Sequence, residues 1–227
     1  MSHRLNPERP NLQNPGIYEL RHTTVRPGML NDYLEWDLQT AEPTAKGRTL
    51  CVLSGLIGYP PEEIVRVTRY PAMDAWREAQ EISLDTGLAE KEEIRLMRSI
   101  ASRPKAMVPP EDRRAVYGYR RFFIKPSDVG EFVHDSQEGI WPRIESQDAC
   151  ILGLWTTVAA TDPLEVVLLT GYHGPAHWEE TRENPSKPEG MDQTVWETSR
   201  ELRTVRQQLS IRSWVCLMRA IVVAPFG

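Results

Sequence analysis

The sequence predicts an α+β fold in which one βαββαβ unit is written twice, and three observations carry that reading. Ile17-Tyr18-Glu19-Leu20-Arg21, leading to Arg26-Pro27-Gly28, returns as Tyr117-Gly118-Tyr119-Arg120-Arg121, leading to Lys125-Pro126-Ser127. Tyr18 and Tyr117, Arg21 and Arg120, and Pro27 and Pro126 are each 99 residues apart (117 − 18 = 120 − 21 = 126 − 27). In both copies a β-rich run ends at a basic residue followed by proline, which suits the first position of a helix because its missing N–H is no loss there. Finally, Thr68-Arg69-Tyr70 with Trp76 returns as Thr170-Gly171-Tyr172 with Trp178, 102 residues on (172 − 70 = 178 − 76). Two ferredoxin-like units in tandem follow, with antiparallel sheets.

Residues 1–15, with Pro7, Pro10 and Pro15, read as an extended arm; residues 16–110 form the first unit and 115–227 the second. The first unit opens with a strand at Ile17–Val25 and a helix from Pro27 to about Thr40, whose apolar stripe includes Leu30, Leu34 and Leu38. Pro43 stops that helix. Leu50–Gly58 and Ile64–Tyr70 read as strands joined by the turn Tyr59-Pro60-Pro61-Glu62. Pro71 opens a helix that Gly87 breaks. Leu88–Ile100, rich in Glu, Lys and Arg, predicts an extra surface helix, and a short strand around Lys105–Val108 closes the unit. The second unit repeats the order: strand Ala115–Ile124, a helix from Pro126 to about Glu145, and strands Ala149–Ala159 and Leu164–His173. A helix from Asp192 to Leu209 and a final strand Trp214–Val223 complete it.

Composition is that of an ordinary globular chain, 40% apolar and 26% charged. A net charge of −5 with scattered Lys and Arg leaves no basic stripe, so nucleic acid is not an expected partner. The N-terminus has no apolar signal core, and no apolar run approaches the roughly 20 residues that span a bilayer, so a soluble, cytoplasmic protein with no membrane partner is expected. Three cysteines without C-x-x-C spacing indicate neither a disulfide framework nor a zinc ribbon. Phosphate-loop, nucleophile-elbow and dinucleotide fingerprints are absent, which argues against those hydrolases and nucleotide enzymes.

Ile17–Arg21 followed by Arg26-Pro27-Gly28, then Ile64–Tyr70 with an aromatic helix behind it, resembles the NIPSNAP family of the dimeric α/β-barrel superfamily. The resemblance implies that two four-stranded sheets pack into a barrel, here within one chain, and that such chains pair again into homodimers or higher homo-oligomers. It also implies two functions: a cofactor-independent monooxygenase, isomerase or cyclase acting on an apolar or aromatic small molecule, or a non-catalytic ligand-binding or scaffold protein. Haem enzymes share the superfamily, so haem stays open although no motif calls for it.

The richest local cluster is Tyr172-His173-Gly174-Pro175-Ala176-His177-Trp178, where a strand ends and a helix begins and side chains converge on a cleft mouth. His173 is the first candidate acid or base, since imidazole titrates near neutrality, and His22, mid-strand beside Tyr18 and Leu20, is the second. Tyr172 is a catalytic hydrogen-bond donor. Tyr70, Trp155, Asp37 and His177 are the expected substrate contacts, Trp155 as an aromatic wall and Asp37 as a pocket acid. Gly174-Pro175 interrupts any helix through His173 and His177, so no metal site is expected. Each has a structural alternative: the histidines cap a helix or meet solvent, and the aromatics fill the core. Arg21 and Arg120 read first as a structural ion pairing across the pseudo-twofold and only second as substrate contacts.

Overall fold

The computed structural model describes residues 16–40, 47–80, 87–105, 108–159, 162–182 and 186–223. The predicted arm 1–15 lies outside them. The strands are β1 (Ile17–Val25), β2 (Arg48–Ile57), β3 (Glu63–Tyr70), β4 (Ala89–Ser99), β5 (Val116–Ile124), β6 (Cys150–Thr157), β7 (Leu164–Tyr172) and β8 (Ser210–Val223). They close into an antiparallel barrel in the order β1-β3-β2-β8-β5-β7-β6-β4. Each half contributes four neighbours in the ferredoxin-like order fourth-first-third-second, and the halves meet at β2–β8 and β4–β6. The chain is thus α+β, two ferredoxin-like units joined edge to edge.

Side-chain alternation sorts each strand into a lumen face and an outer face. The lumen is filled: Tyr18, Leu20, Val67, Tyr119, Trp155 and Leu169 are each at most 1% exposed. On the outer face of the first half, α1 (Leu30–Thr40) packs Leu30, Tyr33 and Leu34 onto Val25, Val52 and Ile64. The predicted stripe differs in one place: Leu38 is exposed and Asp37 is buried instead. α2 (Met73–Gln80) reaches that face through Trp76 and Gln80, which donate to Glu19 of β1. On the second half, α3 (Val129–His134), a π-helical stretch (Asp135–Ile140) and α4 (Trp141–Glu145) press Phe132, Ile140 and Ile144 onto Phe122, Val166 and Leu168. α5 (Pro175–Glu180) follows β7, and α6 (Gln193–Leu209) starts at Asp192, whose side chain accepts from Val195 N–H at 3.1 Å. α6 approaches the π-helical stretch closely at Gly139, where a Cβ would stand 2.7 Å from Leu202 Cβ.

One predicted element is corrected. Leu88–Ile100 is not a helix but β4, paired with β1 from Tyr18 to Val25. Lys91, Glu93, Arg95 and Met97 alternate onto the lumen face opposite Thr24, His22, Leu20 and Tyr18. Local helix propensity of Glu, Lys and Arg is worth only tenths of a kilocalorie per residue, and pairing along a whole strand outweighs it. Among the described residues the first half therefore has no inserted helix, β4 takes the place given to Lys105–Val108 (Ala106 and Met107 are outside the described residues), and α6 belongs to the second half.

Candidate functional site

The structure distributes the expected site residues over four places. Tyr172 closes β7 on the outer face of the second half. His173, next in the chain, is turned out to solvent, its Nε2 against Asp148. His177 has both ring nitrogens engaged: Nδ1 accepts from the His173 N–H at 3.1 Å and Nε2 lies 2.6 Å from the Gln147 carbonyl. Trp155 sits in the filled lumen, 5.8 Å from the Tyr18 ring. Asp37 and Tyr70 lie on the outer face of the first half. Asp37 is fully buried and meets Arg66 at 2.8 Å; burial raises its pKa against the lowering pull of that guanidinium. Burial likewise raises Tyr70 to about 12.

His22 occupies the fourth place, a polar mouth of the barrel of about 250 Å³ that it lines with Tyr59, Glu63, Lys91, Glu93 and Arg121. Its Nε2 is 2.7 Å from Glu63, and burial holds its pKa below the ordinary imidazole value while Glu63 opposes that. Charges in this mouth are matched. Arg121 pairs with Glu165, Lys91 and Arg95 pair with Glu93, and His22 pairs with Glu63.

The larger space, about 590 Å³, opens on the second half between the outer faces of β5, β7 and β8 and the helices α4, α5 and α6. Phe122, Leu168, Ile140 and Trp178 give it apolar and aromatic surface, and Tyr172 supplies a hydroxyl whose pKa burial raises, so that it stays O–H. Five arginines also line it among the described residues: Arg120, Arg143, Arg182, Arg203 and Arg206. Arg143 Nη1 donates to the Thr181 carbonyl at 3.1 Å and Arg206 Nη1 to Ser136 Oγ at 3.2 Å. The Arg206 guanidinium lies 5.1 Å from the Phe122 ring centre and 5.3 Å from that of Phe132. Burial, then Arg120, pushes its pKa down to about 9, with Asp135 opposing. Burial also lowers Arg120 and Arg143. Among the described residues opposite charge is scarce: Glu179 is taken by Arg182 at the rim (3.2 Å), and the carboxyl of buried Asp135 is itself pushed up by burial.

Of the expected residues only Tyr172 reaches this cavity. Its arginines from α4, the loop after α5 and α6 were not singled out in the sequence. Arg203 and Arg206, three apart on α6, share one helix face, a usable signal once the helix is oriented. A haem would need an axial ligand. Among the described residues the cavity wall has no His, Cys or Met, and the Tyr172 phenolate is disfavoured by burial, so these residues do not fit that group. No group of three or more His, Cys, Asp or Glu among the described residues gathers as a metal would require.

No protein-family model matches the chain, and no curated protein does. Solved structures do. A protein from Lactobacillus acidophilus described as a putative monooxygenase superposes with a TM-score of 0.63 at 14% identity, over 92% of this chain and 96% of its own. An anthrone oxidase-like protein gives 0.59 at 10% identity, over 93% and 94%. A NIPSNAP domain protein from Burkholderia xenovorans, 19% identical, covers 49% of this chain and 97% of its own with a TM-score of 0.35, a partial match that adds nothing beyond the resemblance in sequence. At these identities the first two likenesses establish the fold, a ferredoxin-like α/β barrel completed within a single chain.

Proposed function

We propose that the second half is the working site of a small-molecule enzyme that acts by proton transfer or oxygenation on a flat, partly aromatic molecule, without a cofactor. The observation that carries this reading is the cavity of about 590 Å³ in which aromatic walls face several arginines, Arg120 among them without a carboxylate partner among the described residues. Such a site stabilises negative charge that develops on a substrate oxygen. A phenol or enol held against Arg120 and Arg206 would ionise more readily, its proton passing to water, and the electron-rich anion could then rearrange or give electrons to dioxygen. Tyr172, kept protonated, would donate a hydrogen bond to that oxygen. His173 and His177 stand outside the cavity with ring nitrogens engaged, and His22 belongs to the barrel mouth, so neither supports the base role first given to histidine. Neighbours named for monooxygenase and anthrone oxidase chemistry are in keeping with the reading.

The test is oxidation of anthrone by the purified protein in air, followed as anthraquinone absorbance. Turnover above buffer is expected, and Arg206→Gln should lower it by about 100-fold, the usual effect of removing one preorganised donor. Absence of turnover across anthrone and a panel of phenols and enols would refute it. Of the two helices a scaffold reading would use as interaction faces, Leu88–Ile100 is a barrel strand, while α6 turns Trp196 and Ser199 inward and keeps Glu197, Arg200, Glu201 and Thr204 exposed.

A further inference from the structure

We propose that the ligand of the second-half cavity is an organic carboxylate whose anionic group seats on Arg120, in the place that Glu19 fills in the first half. The proposal rests on the small-molecule reading above and names its substrate class. The repeat supplies an internal control. Arg21 and Arg120 are equivalents on the outer faces of β1 and β5. In the first half Arg21 is fully answered: Nε meets Glu19 Oε1 at 2.9 Å, Nη1 meets Glu92 at 3.2 Å and Nη2 meets Gln80 at 3.0 Å. Glu19 Oε2 in turn accepts from Trp76 Nε1 at 2.7 Å and Gln80 Nε2 at 2.8 Å. Side chains of the same half thus take up the hydrogen bonds of both Arg21 and Glu19.

In the second half each of those partners is exchanged. Glu19 becomes Gly118 (118 − 19 = 99) and Gln80 becomes Arg182 (182 − 80 = 102). Glu92 becomes Ser213, because Thr23 pairs with Glu92 while its equivalent Phe122 (122 − 23 = 99) pairs with Ser213. Gly118, Arg182 and Ser213 all line the cavity. The donors, by contrast, are kept: Arg120 for Arg21, and Trp178 for Trp76 (178 − 76 = 102), both in the wall. Among the described residues no carboxylate contacts Arg120. Two donors that hold a carboxylate in one half thus stand in the other around the space where that carboxylate is missing. A guanidinium half-buried without its counter-ion is a standing cost to the fold, and a bound carboxylate would relieve it through charge-assisted hydrogen bonds. A planar two-oxygen group left the place, so a carboxylate is assigned rather than a phosphate.

Calorimetric titration of the whole protein at pH 7.5 and low salt, with 2-naphthoate, 2-naphthamide and inorganic phosphate, tests this. Naphthoate should bind at least about tenfold tighter than the amide, a gap expected of one well-placed charged hydrogen bond, and Arg120→Met should erase that preference. Gly118→Glu, which restores the first half's carboxylate, should abolish naphthoate binding more completely than the isosteric Gly118→Gln. A Cβ at Gly118 would stand 3.3 Å from Tyr172 Cε2, so in both variants that ring must give by a few tenths of an ångström, and the Glu and Gln forms share this demand. Should both Gly118 variants misfold, the Arg120→Met preference decides. Equal binding of naphthoate and amide overturns the carboxylate assignment and leaves the small-molecule site standing. Binding of neither overturns both, and a preference for phosphate overturns the assignment in favour of another anion.

Discussion

Arg206 shows at a single residue what the second-half cavity does. Its guanidinium is wedged between Phe122 and Phe132 and its pKa is pushed down to about 9 from the ordinary guanidinium value, burial first and Arg120 next. The sign follows from linkage. Unfolded chain binds the proton more tightly than folded chain from about pH 9 up to the ordinary guanidinium value, so in that window this group's contribution makes the fold more stable as pH rises. Anion binding runs the other way, because it needs the charged form. Because Arg206 is a charged neighbour of the Arg120 seat, naphthoate affinity should weaken as pH rises past about 9, a dependence that calorimetry across pH 7–10 would show and that Arg206→Gln should remove. The opposite arrangement holds at Asp37, fully buried beside Arg66. Arg66→Met removes the guanidinium that balances the carboxylate and should cost about 3–5 kcal/mol by urea unfolding. Burial already raises the Asp37 pKa, so that loss should shrink as pH falls and the carboxyl takes up its proton. Residue types misled where they spoke of chemistry alone. Histidines drew attention because imidazole titrates near neutrality, yet His173, His177 and His22 are each occupied by a neighbour. Arg21 and Arg120, as repeat equivalents, read alike as structural, and the sign that separates them, Glu19 against Gly118, stands in the sequence at the same offset of 99.

Elements were legible where hydrophobic alternation and proline agreed. β1 occupies the predicted Ile17–Val25, and β3 and α6 begin within one residue of the predicted positions. β4 was not, because a run of Glu, Lys and Arg favours helix locally while its alternation onto β1 appears only once the barrel closes. The helical wall of the cavity depends on α6 lying close against the π-helical stretch, and Gly139 is what permits it. Gly139→Ala puts a Cβ 2.7 Å from Leu202 Cβ, and overpacking of this kind should cost about 1–3 kcal/mol in thermal unfolding. Gly130→Ala on α3, where a Cβ meets nothing within 4 Å, should instead be neutral or stabilise by about 0.5–1 kcal/mol. Equal effects at the two glycines would show that the close approach of α6 does not matter.

At the scale of the molecule, the barrel is one unit built twice and joined by two unequal seams. β2 and β8 pair through six residues on each strand, β4 and β6 through three, extended by Val158 N–H to the Leu96 carbonyl (2.9 Å) and Ile100 N–H to the Leu154 carbonyl (3.2 Å). The shorter seam should open first, so amides of Met97–Ser99 should exchange with deuterium faster than those of Leu53–Gly55; the reverse order would contradict it. The repeat itself was readable, because offsets of 99 and 102 survive between halves whose surroundings have diverged. Which half would stay open was not, since that depends on α6 and on three exchanged partners of one arginine that strand registers bring together. The most direct measurement of the central claim is a crystal structure of the protein with 2-naphthoate. It should show the carboxylate on Arg120 with the ring along Phe122 and Trp178, and the Arg21 face closed by Glu19. Naphthoate in the barrel mouth by His22, or on the Arg21 face, would contradict it.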